Sequence, residues 1–226
     1  MSKLHLKRII TPRTWFLPRK QTKFITRPNS GPHSFKFSFP MSFFLKKTGF
    51  ASTTNEAKKI LNVKTVFVDG KRIKDAKFPV GLMDSVNIKD AKGFFRVVLD
   101  EKGRLKILSI PEAETKIKIC KVNNKTMIKN KKIQINLFDG KNVLTEDASI
   151  KTGDSVVLEL PSLKIKNVLK FEKGASVLMI GGRHMGSFGV IEKIENKKLI
   201  VKSGQDTFDT EKRFVFVIGK EVVQLK

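Results

Sequence analysis

Apolar and polar positions follow a different pattern in each of four successive stretches of this chain. Over residues 1–40 no period survives: aromatic residues are scattered among cations, and Pro12, Pro18, Pro28, Pro32 and Pro40 interrupt any repeat. Proline fixes φ and withholds an N–H, so this stretch reads as an extended segment with no core of its own. Residues 41–100 read as a small α/β unit. Met41, Phe43, Phe44 and Leu45 form a short helical run that Gly49 closes. Thr53 and Glu56 stand at capping-box spacing before a helix with Ala57, Ile60 and Leu61 on one face and Lys58 and Lys59 beginning the other. Val66-Phe67-Val68, an Asp69-Gly70 turn and Lys71-Arg72-Ile73 then spell a β-hairpin.

From residue 101 to 168 the period is two. Leu105–Ile107, Ile117–Cys120, Ile133–Leu137 and Val156–Leu160 alternate, and turn residues at Asp100–Gly103, Asp139-Gly140 and Gly153-Asp154 separate them. In Ile117–Cys120 and Ile133–Leu137 one face is apolar and the other wet, as in an antiparallel sheet or small barrel. The run Lys129–Lys132 is a solvated turn in this reading. Residues 169–226 carry strand, tight glycine-rich loop and strand: Val177–Ile180, then Gly181, Gly182, Arg183, His184, Met185 and Gly186, then Gly189–Ile191. Glycines there permit positive φ and close backbone approach. The loop leads into a strand and lacks both the Lys-Ser/Thr ending and the GxGxxG spacing, so the ATPase and dinucleotide-binding readings fail. The fold class expected is therefore α+β and β-rich, in four parts with boundaries at 1–40, 41–100, 101–168 and 169–226.

Charge changes the picture. The formal charge is +25 over 226 residues, and Glu56 is the first carboxylate in the chain. The excess is +9, +6, +6 and +4 over the four parts in order, so every part is basic. Such an excess repels itself unless a polyanion neutralises it. Nucleic acid does so with release of counterions, and an anionic membrane is the next candidate. No apolar run reaches the roughly 18–20 residues of a bilayer span. The prolines defeat the amphipathic helix of a mitochondrial presequence, and Lys7, Arg8 and Arg13 interrupt any secretory signal. Cys120 is the single cysteine, which excludes an internal disulfide and fits a reducing compartment.

Catalytic chemistry is not visible. His5, His33 and His184 are far apart in sequence, and Cys120 has no partner at ligand spacing, so neither a metal site nor a cofactor is expected. No nucleophile-base constellation stands out, and Asp69, Asp84 and Asp139 read as turn formers.

The glycine-rich pattern resembles a KOW motif, and residues 52–86 resemble the S-four RNA-binding fold. The order of parts then resembles one family, small-subunit ribosomal protein S-four-e of archaea and eukaryotes. The stretches that carry this are His5–Arg8, Gly31–His33, Glu56–Leu61, Val68–Lys71, Phe78–Asp84, Asp100–Arg104 and Phe214–Gly219. The resemblance implies an S-four-like unit, a central antiparallel β domain and a C-terminal SH3-like KOW barrel. It also implies a structural, non-enzymatic protein of cytoplasmic ribosomes, bound to 16S/18S-type rRNA and to neighbouring small-subunit proteins. No membrane and no small-molecule substrate enter that reading. A KOW-bearing transcription elongation factor, an RNA-modifying enzyme and a free-standing RNA chaperone are the alternatives. Lys7, Arg8, Arg13, Arg19, Lys20 and Arg27 are expected on phosphates, with Trp15 and His33 stacking or wedging. Lys58, Lys59, Lys71 and Arg72 form a second expected patch, and Arg183, His184 and Lys193 the contribution of the glycine-rich unit.

Overall fold

The computed structural model of the protein describes residues 5–91, 93–128, 132–195, 198–204 and 206–219. It forms two compact units, Met1–Val98 with Arg104–Lys116, and Leu99–Gly103 with Ile117–Lys226. Most of the Lys129–Lys132 turn lies outside the described residues.

In the first unit β1 (Leu6–Lys7) and β2 (Phe24–Ile25) pair antiparallel, Leu6 opposite Ile25 and Lys7 opposite Phe24. Apart from this pair, two single 3-10 turns and β3 (Ser38–Pro40), residues 5–40 are irregular, as their prolines dictate. They do not form a free extension, however. A segment that cannot build its own core can still bury its apolar residues against a neighbour, and this one does so. β3 pairs with β6 (Pro79–Gly81), the Asn29 N–H donates to the Lys77 carbonyl, and Trp15 is buried.

Between β3 and β6 run α1 (Met41–Lys47), α2 (Thr54–Val63), β4 (Val66–Val68) and β5 (Lys71–Arg72). α1 buries Met41, Phe44 and Leu45. Gly49, at φ +81°, ends it in the left-handed conformation that favours glycine. At α2 the expected capping box is complete: the Glu56 N–H donates to Thr53 Oγ1, and the Glu56 carboxylate accepts from the Thr53 N–H. These N–H groups of Ser52 and Thr53 hold the Glu56 carboxyl below its ordinary pKa. Ala57 and Leu61 form the buried face of α2. The hairpin turn takes positive φ at both Asp69 and Gly70, as a two-residue loop of this hand requires.

The hairpin continues into a five-stranded sheet with β7 (Ser85–Ile88), β8 (Gly93–Leu99) and β9 (Leu105–Ser109), in the order β5-β4-β7-β8-β9. The alternating Leu105–Ile107 is thus the edge strand of this sheet and not the opening of the central domain. A strand's period does not say which sheet it joins. The short α3 (Glu112–Thr115) completes the unit and supplies the carbonyl of Glu114 to the buried Arg96 guanidinium.

In the second unit β10 (Ile117–Met127), β11 (Ile133–Leu137), β12 (Asn142–Thr145), β13 (Ser155–Glu159) and β14 (Lys164–Leu169) form an antiparallel sheet ordered β12-β11-β10-β13-β14. Cys120, Val122, Ile135, Ile150, Val156 and Leu158 lie in its core. In β11 burial alternates as expected. In β10 it does not, because Ile119, Cys120 and Lys118 are all buried. Lys118 sits inside because its ammonium is 2.9 Å from the equally buried carboxylate of Asp139, which also meets Lys141 Nζ at 3.0 Å. Burial alone would raise the Asp139 pKa, but the two lysines outweigh it and hold the group at about 2.

A second antiparallel sheet, ordered β18-β17-β16-β15-β19, comprises β15 (Ser176–Met179), β16 (Phe188–Ile194), β17 (Lys198–Ser203), β18 (Asp206–Glu211) and β19 (Val215–Val217). Val177, Met179, Ile191, Leu199, Val201, Val215 and Val217 form its core. Among the described residues no register joins β18 to β19. Lys121 links the two sheets: its Nζ donates to the carbonyls of Lys212 and Arg213, and burial pushes its pKa down to about 8.

Candidate nucleic-acid interface

The expected contact residues of the first unit separate into three groups. Lys7, Arg13, Lys20, Lys58, Lys59, Lys71 and Arg72 are exposed. The β1–β2 pairing fixes Lys7 beside Phe24, α2 displays Lys58 and Lys59, and the hairpin carries Lys71 and Arg72 on its returning strand. None of these seven cations has an ion-pair partner among the described residues.

A second group ties the segment together. Arg8 donates from Nη1 to the Pro18 carbonyl at 3.1 Å and from Nη2 to Thr22 Oγ1 at 2.8 Å. Arg19 donates to the carbonyls of Ile9 and Thr11. Both guanidiniums therefore clamp the loop between β1 and β2, although Arg19 stays exposed. Arg27 is half-buried, 5.9 Å from the centre of the Phe35 ring.

The third group corrects the expectation. Trp15 is 2% exposed, packed between Phe35 and Phe43, so its ring has no free face for a base. His33 is buried, with Nε2 hydrogen-bonded to Asp84 Oδ1 at 2.8 Å. Asp84 Oδ2 accepts the Gly81 N–H, so this aspartate is more than a turn former. Trp15 and His33 belong to the core that holds the segment down.

Lys46 and Lys47, in the last turn of α1, are further exposed cations beyond those expected from the sequence. Their signal was present as two cations before Gly49, a placement that also suits a helix C-terminus. Both are exposed, and Lys47 Nζ lies 4.5 Å from the centre of the Phe16 ring. Phe16 also meets Arg104, at 5.1 Å, so cations and an exposed ring are interleaved in space as well as in sequence.

In the second unit Arg183 and His184 are exposed at the glycine-rich loop. The His184 ring stacks on Phe208 at 4.1 Å, which covers one of its faces. With Gly181, Gly182, Lys198 and Phe214 they line an open concavity of about 380 Å³ that also contains Asp209 and Glu211. Lys193 is exposed but paired with Glu195 at 3.0 Å. The glycines here serve packing. A Cβ at Gly181 would collide with the Phe214 ring, and one at Gly186 with the Asp100 carbonyl.

Comparison with known proteins decides what kind of molecule carries this surface. Ribosomal family S4e matches residues 91–165, the RS4NT (NUC023) domain residues 2–36 and the S4 domain residues 43–86. The small ribosomal subunit protein eS4 of Methanococcus aeolicus is 39% identical, across 96% of this chain and 94% of the relative. That of Methanothermobacter thermautotrophicus is 40% identical, across 97% of this chain and 94% of the relative. The chain belongs to the ribosomal S4e family. This is a family of ribosomal structural proteins and not of enzymes. The crystal structure of the 30S ribosomal protein S4e from Thermoplasma acidophilum superposes with a TM-score of 0.68 at 32% identity, covering 80% of this chain and 95% of that one. The S4 match runs from residue 43 to 86, so it takes in most of α1, all of α2 and the hairpin with Lys58, Lys59, Lys71 and Arg72.

Proposed function

We propose that the chain is a structural constituent of the small ribosomal subunit that binds 16S/18S-type rRNA and supports its assembly, in cytoplasmic ribosomes and beside other small-subunit proteins. The observation that carries this is the unpaired basic surface of the first unit. Lys7, Arg13, Lys20, Lys58, Lys59, Lys71 and Arg72 are exposed and form no close ion pair among the described residues, Glu56 exerting only a Coulombic pull on Lys59. Phosphates supply such pairs, and contacts of this kind position a protein on RNA by backbone and shape.

Lys7, Arg13, Lys20, Lys58, Lys59, Lys71 and Arg72 are the phosphate-contacting set in this reading. Arg8, Arg19 and Arg27 present the segment to the RNA in the right shape, and the exposed Arg19 guanidinium retains donors for a phosphate. Residues 169–219 act as a KOW-bearing unit, in which Arg183, the open face of His184 and Lys193 reach RNA. Among these, Lys193 contributes least because Glu195 already neutralises it.

Sucrose-gradient sedimentation of a lysate across a salt series tests this. One copy per small subunit, retained in moderate salt and released in high salt, is the expected result. A peak at the top of the gradient, or one that travels with RNA polymerase, would overturn it.

A further inference from the structure

One open cleft of the first unit is built differently from the rest of the basic surface. It measures about 640 Å³ and lies between the β1–β2 loop and the ends of α1 and α2. That volume is within the roughly 300–1,000 Å³ of sites that take small ligands. Phe16 and Phe24 line it and are 53% and 49% exposed, and their contacts, Lys47 and Arg104 at Phe16 and His5 and Lys23 at Phe24, leave about half of each ring open to solvent. Phe43 lines it too, braced from behind by Trp15 and Phe39. Arg8, Lys46 and Lys47 supply positive charge, and no Asp or Glu is among the described residues that line it. Ser42 at its wall is buried, with a hydroxyl that has no hydrogen-bond partner among the described residues.

We propose that this cleft receives one unpaired base of the bound RNA, stacked against Phe16 and Phe24, with its flanking phosphates on Lys46 and Lys47. The inference rests on the RNA-binding reading above and adds what part of the RNA is recognised. Charge and shape choose the occupant together. An acid-free cationic rim selects a polyanion, and exposed rings in a concavity select the flat face that only an unstacked base presents. A paired helix offers phosphates but no base faces. The rim is preorganised, because Arg8 is already bonded to Pro18 and Thr22 and so fixes the loop that carries Phe16 and leads into Phe24 of β2. Lys47, now over the Phe16 ring, is the flexible partner. It moves to the phosphate as the base takes its place on the ring.

The test uses the full chain and two RNA probes of equal length, a single-stranded decamer with a central 2-aminopurine and a fully paired duplex. The wild type is expected to bind both, and stacking quenches the 2-aminopurine fluorescence. The variant Phe16→Ala/Phe24→Ala is expected to lose about tenfold or more in affinity for the single strand, to abolish the quench and to leave duplex affinity unchanged. Both rings are half exposed, so the variant's thermal melt should match the wild type. Lys46→Gln/Lys47→Gln should weaken single-strand binding and reduce its salt slope. Equal loss on both probes, or an unchanged quench in the ring variant, would overturn the pocket while leaving RNA binding standing. Failure of the wild type to bind either probe would overturn the RNA-binding reading, and the pocket with it.

Discussion

The imidazole of His33 and the carboxylate of Asp84 meet at 2.8 Å with both side chains withdrawn from solvent. They lie 51 residues apart, one in the proline-rich segment and one after β6. The same contact brings together two of the stretches that carry the family resemblance, Gly31–His33 and Phe78–Asp84. A Cβ at Gly31 would strike Pro79, and one at Gly81 would strike the His33 ring. These glycines and His33 are therefore an interlocking seam that fastens the segment to its own unit.

Breaking that seam is expected to loosen the fold. His33→Ala leaves a buried carboxylate short of a donor, and such a group costs about 1–3 kcal/mol. Gly81→Ala, which keeps every polar group but inserts a methyl into the ring, should be as damaging. Denaturant titration measures both. In the fraction that remains folded, the salt slope of RNA binding should equal that of the wild type, because His33 reaches no phosphate.

Trp15 and Phe24 provide a contrast within one segment. Truncating the buried Trp15 to Ala should cost about 3–5 kcal/mol of stability. Phe24→Ala should cost far less, since half of that ring already faces water. Thermal melts of the two variants check the ordering, and equal destabilisation would contradict the burial assigned to Trp15.

Asp139 makes the second unit sensitive to acid. Its folded pKa of about 2 lies below the ordinary 3.8, so the fold favours the ionised form. The resulting stability, on the order of 2 kcal/mol, is fully present above about pH 4 and is lost as pH falls through about 2. Asp139→Asn should remove this acid dependence. It should also lower stability at neutral pH by about 3–5 kcal/mol, because Lys118 then loses the carboxylate that compensates its buried charge. Denaturant melts at pH 6 and pH 2.5 read both effects.

Lys58, Lys59 and Lys71 are expected to act through phosphates. Their triple change to Gln should reduce the slope of log affinity against log salt by about three, roughly one for each phosphate left without its lysine, with no change in the thermal melt. Lys193→Gln should reduce it by less than one, since Glu195 already pairs with that cation. Affinity measured over a salt series separates the cases. An unchanged slope in the triple variant would place α2 and the hairpin away from the RNA.

Local signals in the sequence were legible wherever the physics is local. Thr53 and Glu56 announced a helix start, Gly49 a helix end, and Asp69-Gly70 a hairpin, because capping and turn geometry are settled within a few residues. The family was legible from ordered stretches along the chain. Partners distant in sequence were not. Lys118 falls in a strand whose alternation assigns it to water, and only the folded chain reveals the Asp139 carboxylate that keeps it inside. Leu105–Ile107 reads as a strand correctly, but its sheet is chosen by long-range pairing. In the N-terminal segment, interleaved cations and rings looked the same whether a ring faced solvent, like Phe16, or the core, like Trp15. Lys46 and Lys47 stayed hidden behind the apolar run that precedes them.

The most direct test of the account is ultraviolet cross-linking of intact small subunits, with the cross-linked peptides of this chain mapped by mass spectrometry. Adducts to rRNA are expected on the segment from Lys7 to Lys47 and on Lys58–Arg72, and none on Trp15 or His33. Adducts absent from both regions, or dominated by the buried residues, would contradict this expectation.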